Sequence, residues 1–125
     1  MKSNKEILDE FGEKIIQDSF DPIISNILSL RQKENPLPIF KNYCDLLQNL
    51  NEKDFTILQE YLKDRISSSI YNFLRFFEEN ENFKIIYQEN EKQINLLEIS
   101  EMLKAEPIIE NGWIERFSKH VTEDK

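Results

Sequence analysis

The chain has 125 residues, 39% of them apolar and 32% charged, and a formal charge of −8. That length suits one domain, 1–125, able to hide about 65–70% of its unfolded surface, and its Phe- and Ile-rich apolar set excludes disorder. Two Gly and four Pro are too few for the turns of a sandwich or barrel, and a single Cys excludes an intramolecular disulfide and a thiolate zinc cluster.

The expected fold is therefore mainly α: a single helical domain of about five to six helices with a small two-stranded β-hairpin near residues 83–97. Ile7, Leu8, Phe11, Ile15 and Ile16 recur at helical spacing and predict a first helix from about Asn4 to Gln17. Gly12 within it costs roughly 1 kcal/mol of helix propensity and marks a bend or a close approach. Asp21 reads as the cap of a second helix, with Pro22 at its first position, where a missing N–H is harmless. Ile23, Ile24, Ile27 and Leu28 form its expected buried stripe.

Pro36 and Pro38 push their preceding residues out of helix and break the chain. Ile39, Phe40, Tyr43, Leu46, Leu47 and Leu50 then outline a third helix, and Cys44 in its apolar phase reads as a buried, inert thiol. Asn51 reads as the cap of a fourth and longest helix, with Glu52 and Asp54 in its first turn. From Glu52 to Glu79 there is neither Gly nor Pro, and Phe55, Leu58, Leu62, Ile66, Ile70, Phe73, Leu74 and Phe77 keep to one broad face. Ser67, Ser68 and Ser69 are read as small residues that allow close helix contact, in preference to a hinge or a polar binding face.

Phe83, Ile85 and Tyr87 alternate, a polar ENEK turn follows and QINLL returns, which predicts the hairpin. It must pack on the helices, because a lone hairpin is marginal in water. Leu97, Met102 and Leu103 suggest one more short helix, ended by Pro107. Asn111-Gly112 is a turn, and Trp113, Ile114 and Phe117 match a last helical turn that buries two rings and clasps the core. His120 is expected to be exposed and residues 121–125 to fray.

Chemistry is scarce in this sequence. One His excludes a His-based zinc site and the Glu-x-x-His pairs of di-iron bundles. A Cys44–His120 couple would set catalysis on a chain end, a poor support for tight geometry. Two isolated Gly cannot form a phosphate loop, and no basic groove interleaves with aromatics. Neither catalytic residues, metal, cofactor nor nucleic acid is expected. No apolar run approaches the ~20 residues of a membrane span, and the N-terminus lacks a signal-peptide apolar stretch, so a cytoplasmic protein without membrane contact is expected. Residues 78–110 hold nine acidic and three basic side chains, a net −6, which attracts basic partners. Glu78, Glu79, Glu81, Glu89 and Glu91 are the expected partner-binding residues.

The succession DRISSSIYNFLRFFEE, NLLEISEMLKAEP and GWIERFSKH, over about residues 61–120, resembles small uncharacterised bacterial proteins, some of them of the toxin-immunity kind. The likeness rests on Gly112–Ile114 and Phe117–Lys119, positions that look structural, and it carries over no catalytic motif. It implies a non-enzymatic cytoplasmic protein that occludes a cognate toxin of a polymorphic or contact-dependent system, many such toxins being nucleases with basic surfaces. The alternative is a structural or adaptor module, homodimeric where an apolar patch near Tyr71 and Phe76 is exposed. A small-molecule binder or enzyme is a third reading, which a closed apolar pocket with convergent carboxylates would favour.

Overall fold

The computed structural model describes residues 2–120. Helix α1, Asn4–Ile15, starts from a capping box: Glu6 N donates to Ser3 Oγ at 3.1 Å, and Ser3 N donates to Glu6 Oε1 at 2.8 Å. It does not stop at Gln17. A π-helical stretch, Ile16–Phe20, leads straight into α2, Asp21–Gln32. Pro22 explains the widening, since its ring would clash with the carbonyl four residues back and it has no N–H for an α ladder. Asp21 N donates instead to Ile16 O, five residues back. Asp21 is thus no cap. Its backbone is helical, its side chain is only 4% exposed, and its carboxylate reaches the far end of the chain. Of the stripe expected on α2, Ile24 is buried, Ile27 and Leu28 are half-buried, and Ile23 is exposed.

After the proline break and a 3-10 turn at Pro38–Phe40, α3 spans Lys41–Asn49 and packs on α2. Cys44 and Leu47 are buried there, whereas Ile39, Tyr43 and Leu46, expected in the core, are exposed. Arg31 of α2 reaches across to α3. Its guanidinium donates to Leu47 O at 2.8 Å and lies 4.2 Å from the Phe55 ring. Helix α4 runs over Glu52–Glu79, capped by Asn51 Oδ1, which accepts from Asp54 N at 2.7 Å.

Strands β1, Ile86–Glu89, and β2, Lys92–Asn95, pair antiparallel with Tyr87 opposite Ile94. Asn90, at φ 58°, begins the two-residue turn, a left-handed conformation that Asn tolerates. The expected helix around Leu97–Leu103 is absent. Two 3-10 turns, Leu96–Glu98 and Leu103–Ala105, stand there, and Asn95 Oδ1 caps the first by accepting from Leu97 N at 3.0 Å. A five-residue turn, α5, Trp113–Phe117, is the last element among the described residues. The four helices of nine residues or more are fewer than the five to six expected, α5 being a single short turn, within the mainly helical, one-hairpin class anticipated. The fraying expected at residues 121–125 lies outside the described residues.

Ile7, Leu8, Ile16, Phe20, Ile24, Leu74, Leu96, Leu103 and Trp113 form one buried cluster, on which Ile85, Tyr87 and Ile94 of the hairpin pack. Trp113 is its hub. Phe11 meets it edge-on at 5.7 Å, and its ring lies against Gly12, so Gly12 serves close packing. The indole N–H is buried with no hydrogen-bond partner among the described residues, a cost of about 1–3 kcal/mol that ring burial of about 2–3 kcal/mol offsets.

Candidate partner-binding surface

The five anticipated glutamates divide between two places. Glu78, half-buried, accepts from Lys104 N at 3.0 Å and pairs with Lys104 Nζ at 3.3 Å, so it ties the second 3-10 turn to α4. Glu79 pairs with Arg75 one helical turn back at 3.6 Å, an exposed contact worth roughly 0.3–0.5 kcal/mol. Glu81 follows α4 and is exposed. On the hairpin, Tyr87 Oη donates to Glu89 at 2.9 Å, which raises the phenol pKa above its ordinary value, and Glu91 sits exposed at the tip. No hydrogen bond or ion pair joins the two groups among the described residues. Glu78 and Glu89 are spent inside the molecule; Glu81 and Glu91 are open to solvent.

A second acidic surface was not anticipated. Between α4 and the 107–115 segment runs an open cleft of about 540 Å³. Pro107, Ile108 and Ile114 provide its apolar lining, and Asp64, Ser67, Ser68, Tyr71, Asn72 and Glu115 its polar one. No Lys, Arg or His lines it among the described residues. Asp64 holds Arg65 at 2.6 Å, and Glu115 accepts from Asn111 N at 2.8 Å. Ser67 and Ser68 therefore face a cleft and not a tight helix contact. Ser67 Oγ returns its proton to Lys63 O at 2.8 Å, and α4 passes through the serines unbroken, with no hinge. The signal for this face was the spacing of Asp64, Ser67, Ser68 and Tyr71, one helical stripe; its opposite wall, 43 residues further on, left no local trace.

Residues 118–120 form a clasp that ties the segment after α5 to α2 and α4. Ser118 Oγ donates to Asp21 Oδ1 at 2.6 Å and Lys119 N to Asp21 Oδ2 at 3.1 Å. His120 is half-buried, contrary to the exposure expected of it. Its Nε2 lies 2.9 Å from Ser25 Oγ, its N–H donates to Ser118 Oγ at 2.9 Å, and Lys63 Nζ donates to its carbonyl at 2.6 Å. The imidazole thus faces Ser25 and not Cys44, which is buried on α3. Among the described residues Asp21 does not join this Ser–His contact; its two oxygens accept from Ser118 Oγ and Lys119 N. Among the described residues no group of three or more His, Cys, Asp or Glu is placed to hold a metal, and no helix is long and apolar enough to cross a membrane.

The aromatic patch expected around Tyr71 and Phe76 divides as well. Tyr71 turns into the cleft, whereas Phe76 joins Phe73 and Phe83 on an exposed face of α4. Comparison with known proteins returns no matching family model, no matching curated protein and no matching solved structure.

Proposed function

We propose that this chain is a non-enzymatic, cytoplasmic bacterial binding protein of the immunity kind, which occludes a basic site on a cognate protein toxin. The observation that carries the reading is the cleft between α4 and the 107–115 segment: carboxylates on both walls, an apolar lining and no cation among the described residues that line it. Such a cleft suits the Lys or Arg side chains with which a nuclease holds phosphate. The aliphatic stem would lie on Ile108 and Ile114 while the charged head meets Asp64 or Glu115. Glu81 and Glu91 are exposed and add to the negative charge of the chain. Association would be fast and would slow as salt is added, because charge complementarity acts mainly on encounter.

The test is co-expression with the product of the neighbouring upstream gene, scored by growth rescue and co-purification. Rescue with a stable complex, lost in the D64K/E115K variant, supports the reading. A harmless neighbour that does not co-purify, or full protection by D64K/E115K together with E81K/E91K, overturns it.

A further inference from the structure

The C-terminal half of α4 turns a face to solvent that no other element covers among the described residues. Arg65, Ser69, Asn72, Phe73, Phe76 and Glu79 are all exposed, and at about 100° per residue they fall within roughly one third of the helix circumference. Phe73 is 62% exposed, Phe76 42% and Phe83, which buttresses Phe76 at 5.4 Å between centroids, 56%. Phe73 and Phe76 each meet Phe77 edge-on at 5.3 Å. These rings already touch one another, so docking them loses less rotamer entropy than docking isolated rings would.

The order along this face is a cation, a small residue, an amide, two rings and an anion. Reversed, it is its own complement. Arg65 and Glu79 are centred on residue 72, while Ser69 and Phe76 are centred between 72 and 73. We propose that this face binds the same face of a second copy, antiparallel, about a two-fold axis between Asn72 and Phe73. Each Arg65 then meets the second copy's Glu79, and each Phe76 enters the gap above the second copy's Ser69. The contacts that Arg65 makes with Asp64 and Glu79 with Arg75 are exposed and weak, so exchanging them costs little. The three rings expose roughly 300 Å² per copy, taking about 200 Å² for each whole ring, against about 800 Å² per partner in a standard interface. A reversible dimer follows, not a permanent one. This surface is separate from the walls of the acidic cleft apart from Asn72 at its edge, so it stands or falls independently of the toxin reading.

Sedimentation equilibrium at about 0.15 M salt, over about 10 µM to about 1 mM chain, reads the association directly. The expected result is a mass rising from 15.0 kDa toward twice that value. Arg65→Glu and Glu79→Arg should each weaken association about tenfold, and Phe76→Ala at least tenfold. The double variant R65E/E79R should restore it, because the swapped charges meet again across the two-fold axis. A loss of folding cannot produce that restoration. A wild-type chain that stays at 15.0 kDa throughout, or a dimer that R65E/E79R fails to restore, overturns the proposal.

Discussion

Replacing Gly12 with Ala tests the centre of the fold with a single methyl group. In an open helix this change stabilises by about 1 kcal/mol, because Ala restricts the unfolded chain and propagates helix better. Here the new Cβ falls inside the indole of Trp113, against Cγ, Cδ2 and Cε2, where carbon atoms need about 3.5–4.0 Å. The ring has no free space to take up, being fully buried with Phe11 edge-on to it. Overpacking costs about 1–3 kcal/mol, and displacing the indole gives up part of an aromatic pair worth about 0.5–1.5 kcal/mol. Setting the helix gain against these terms leaves a net loss near 2 kcal/mol, or about 6–10 °C in Tm for a chain of this length. Thermal and urea unfolding followed by the fluorescence of Trp113, the only Trp, measure it. The sign decides. A G12A protein as stable as the parent, or more so, would falsify the packing of Trp113 on α1. In a Trp113→Phe background, monitored by far-UV circular dichroism, the penalty should shrink, giving a coupling energy of about 1 kcal/mol or more.

Asp21→Ala should cost about 2–3 kcal/mol in urea unfolding, since it leaves Ser118 Oγ and Lys119 N without their acceptor, and it should speed amide exchange at Lys119 with little change at Leu74. Asn51→Ala removes the cap of α4 and should lower stability by about 1 kcal/mol, whereas Asn51→Ser should be close to neutral. On α1, a hydrogen bond from Arg116 lowers the Asp9 pKa, one from Lys2 lowers that of Glu10, and Ser3 N–H lowers that of Glu6. Folded values below the unfolded ones give stability that is complete above the ordinary carboxylate range of about 4 and is lost as pH falls through the lowered values. Unfolding free energy measured from pH 7 to 3 should therefore fall mainly below about pH 4. Asp9→Asn should flatten that fall, and an unchanged slope would remove Asp9 from the account.

Where one residue's chemistry decides a boundary, the sequence was readable. Asn51 and the Gly- and Pro-free run to Glu79 place α4 to the residue, since the cap and the absence of breakers act locally. The hairpin is also legible, although the paired strands occupy 86–95 within the 83–97 anticipated, because Phe83 packs on Phe76 of α4 and Leu96 starts the first 3-10 turn. Failures concentrate where a distant partner decides. Asp21 has the side chain of a cap, but its acceptors are taken by Ser118 and Lys119, about a hundred residues away, while Pro22 imposes a wider turn. Ile39, Tyr43 and Leu46 have core periodicity, yet only Cys44 and Leu47 of α3 are buried, since α3 has α2 as its main helical neighbour. The acidic field was visible in composition. Its division into structural and open glutamates depends on Lys104 and Tyr87, and the cleft depends on a wall that folds back from residues 107–115.

The π stretch at Ile16–Phe20 sets the phase of everything that follows it. One additional residue in the turn rotates α2 by about 100° relative to a plain α-helix continuing from α1, and that rotation brings Ile24 inward and Asp21 toward Ser118. The joint works as a ratchet tooth, set by the ring of Pro22 and by the number of residues that precede it. Asp18 and Ser19 are exposed and can be exchanged for other polar residues at little cost, but deleting either one moves Pro22 one place along the ladder and turns the whole second helix out of step. This segment should thus tolerate substitution and refuse a change of length, the reverse of what a surface loop allows.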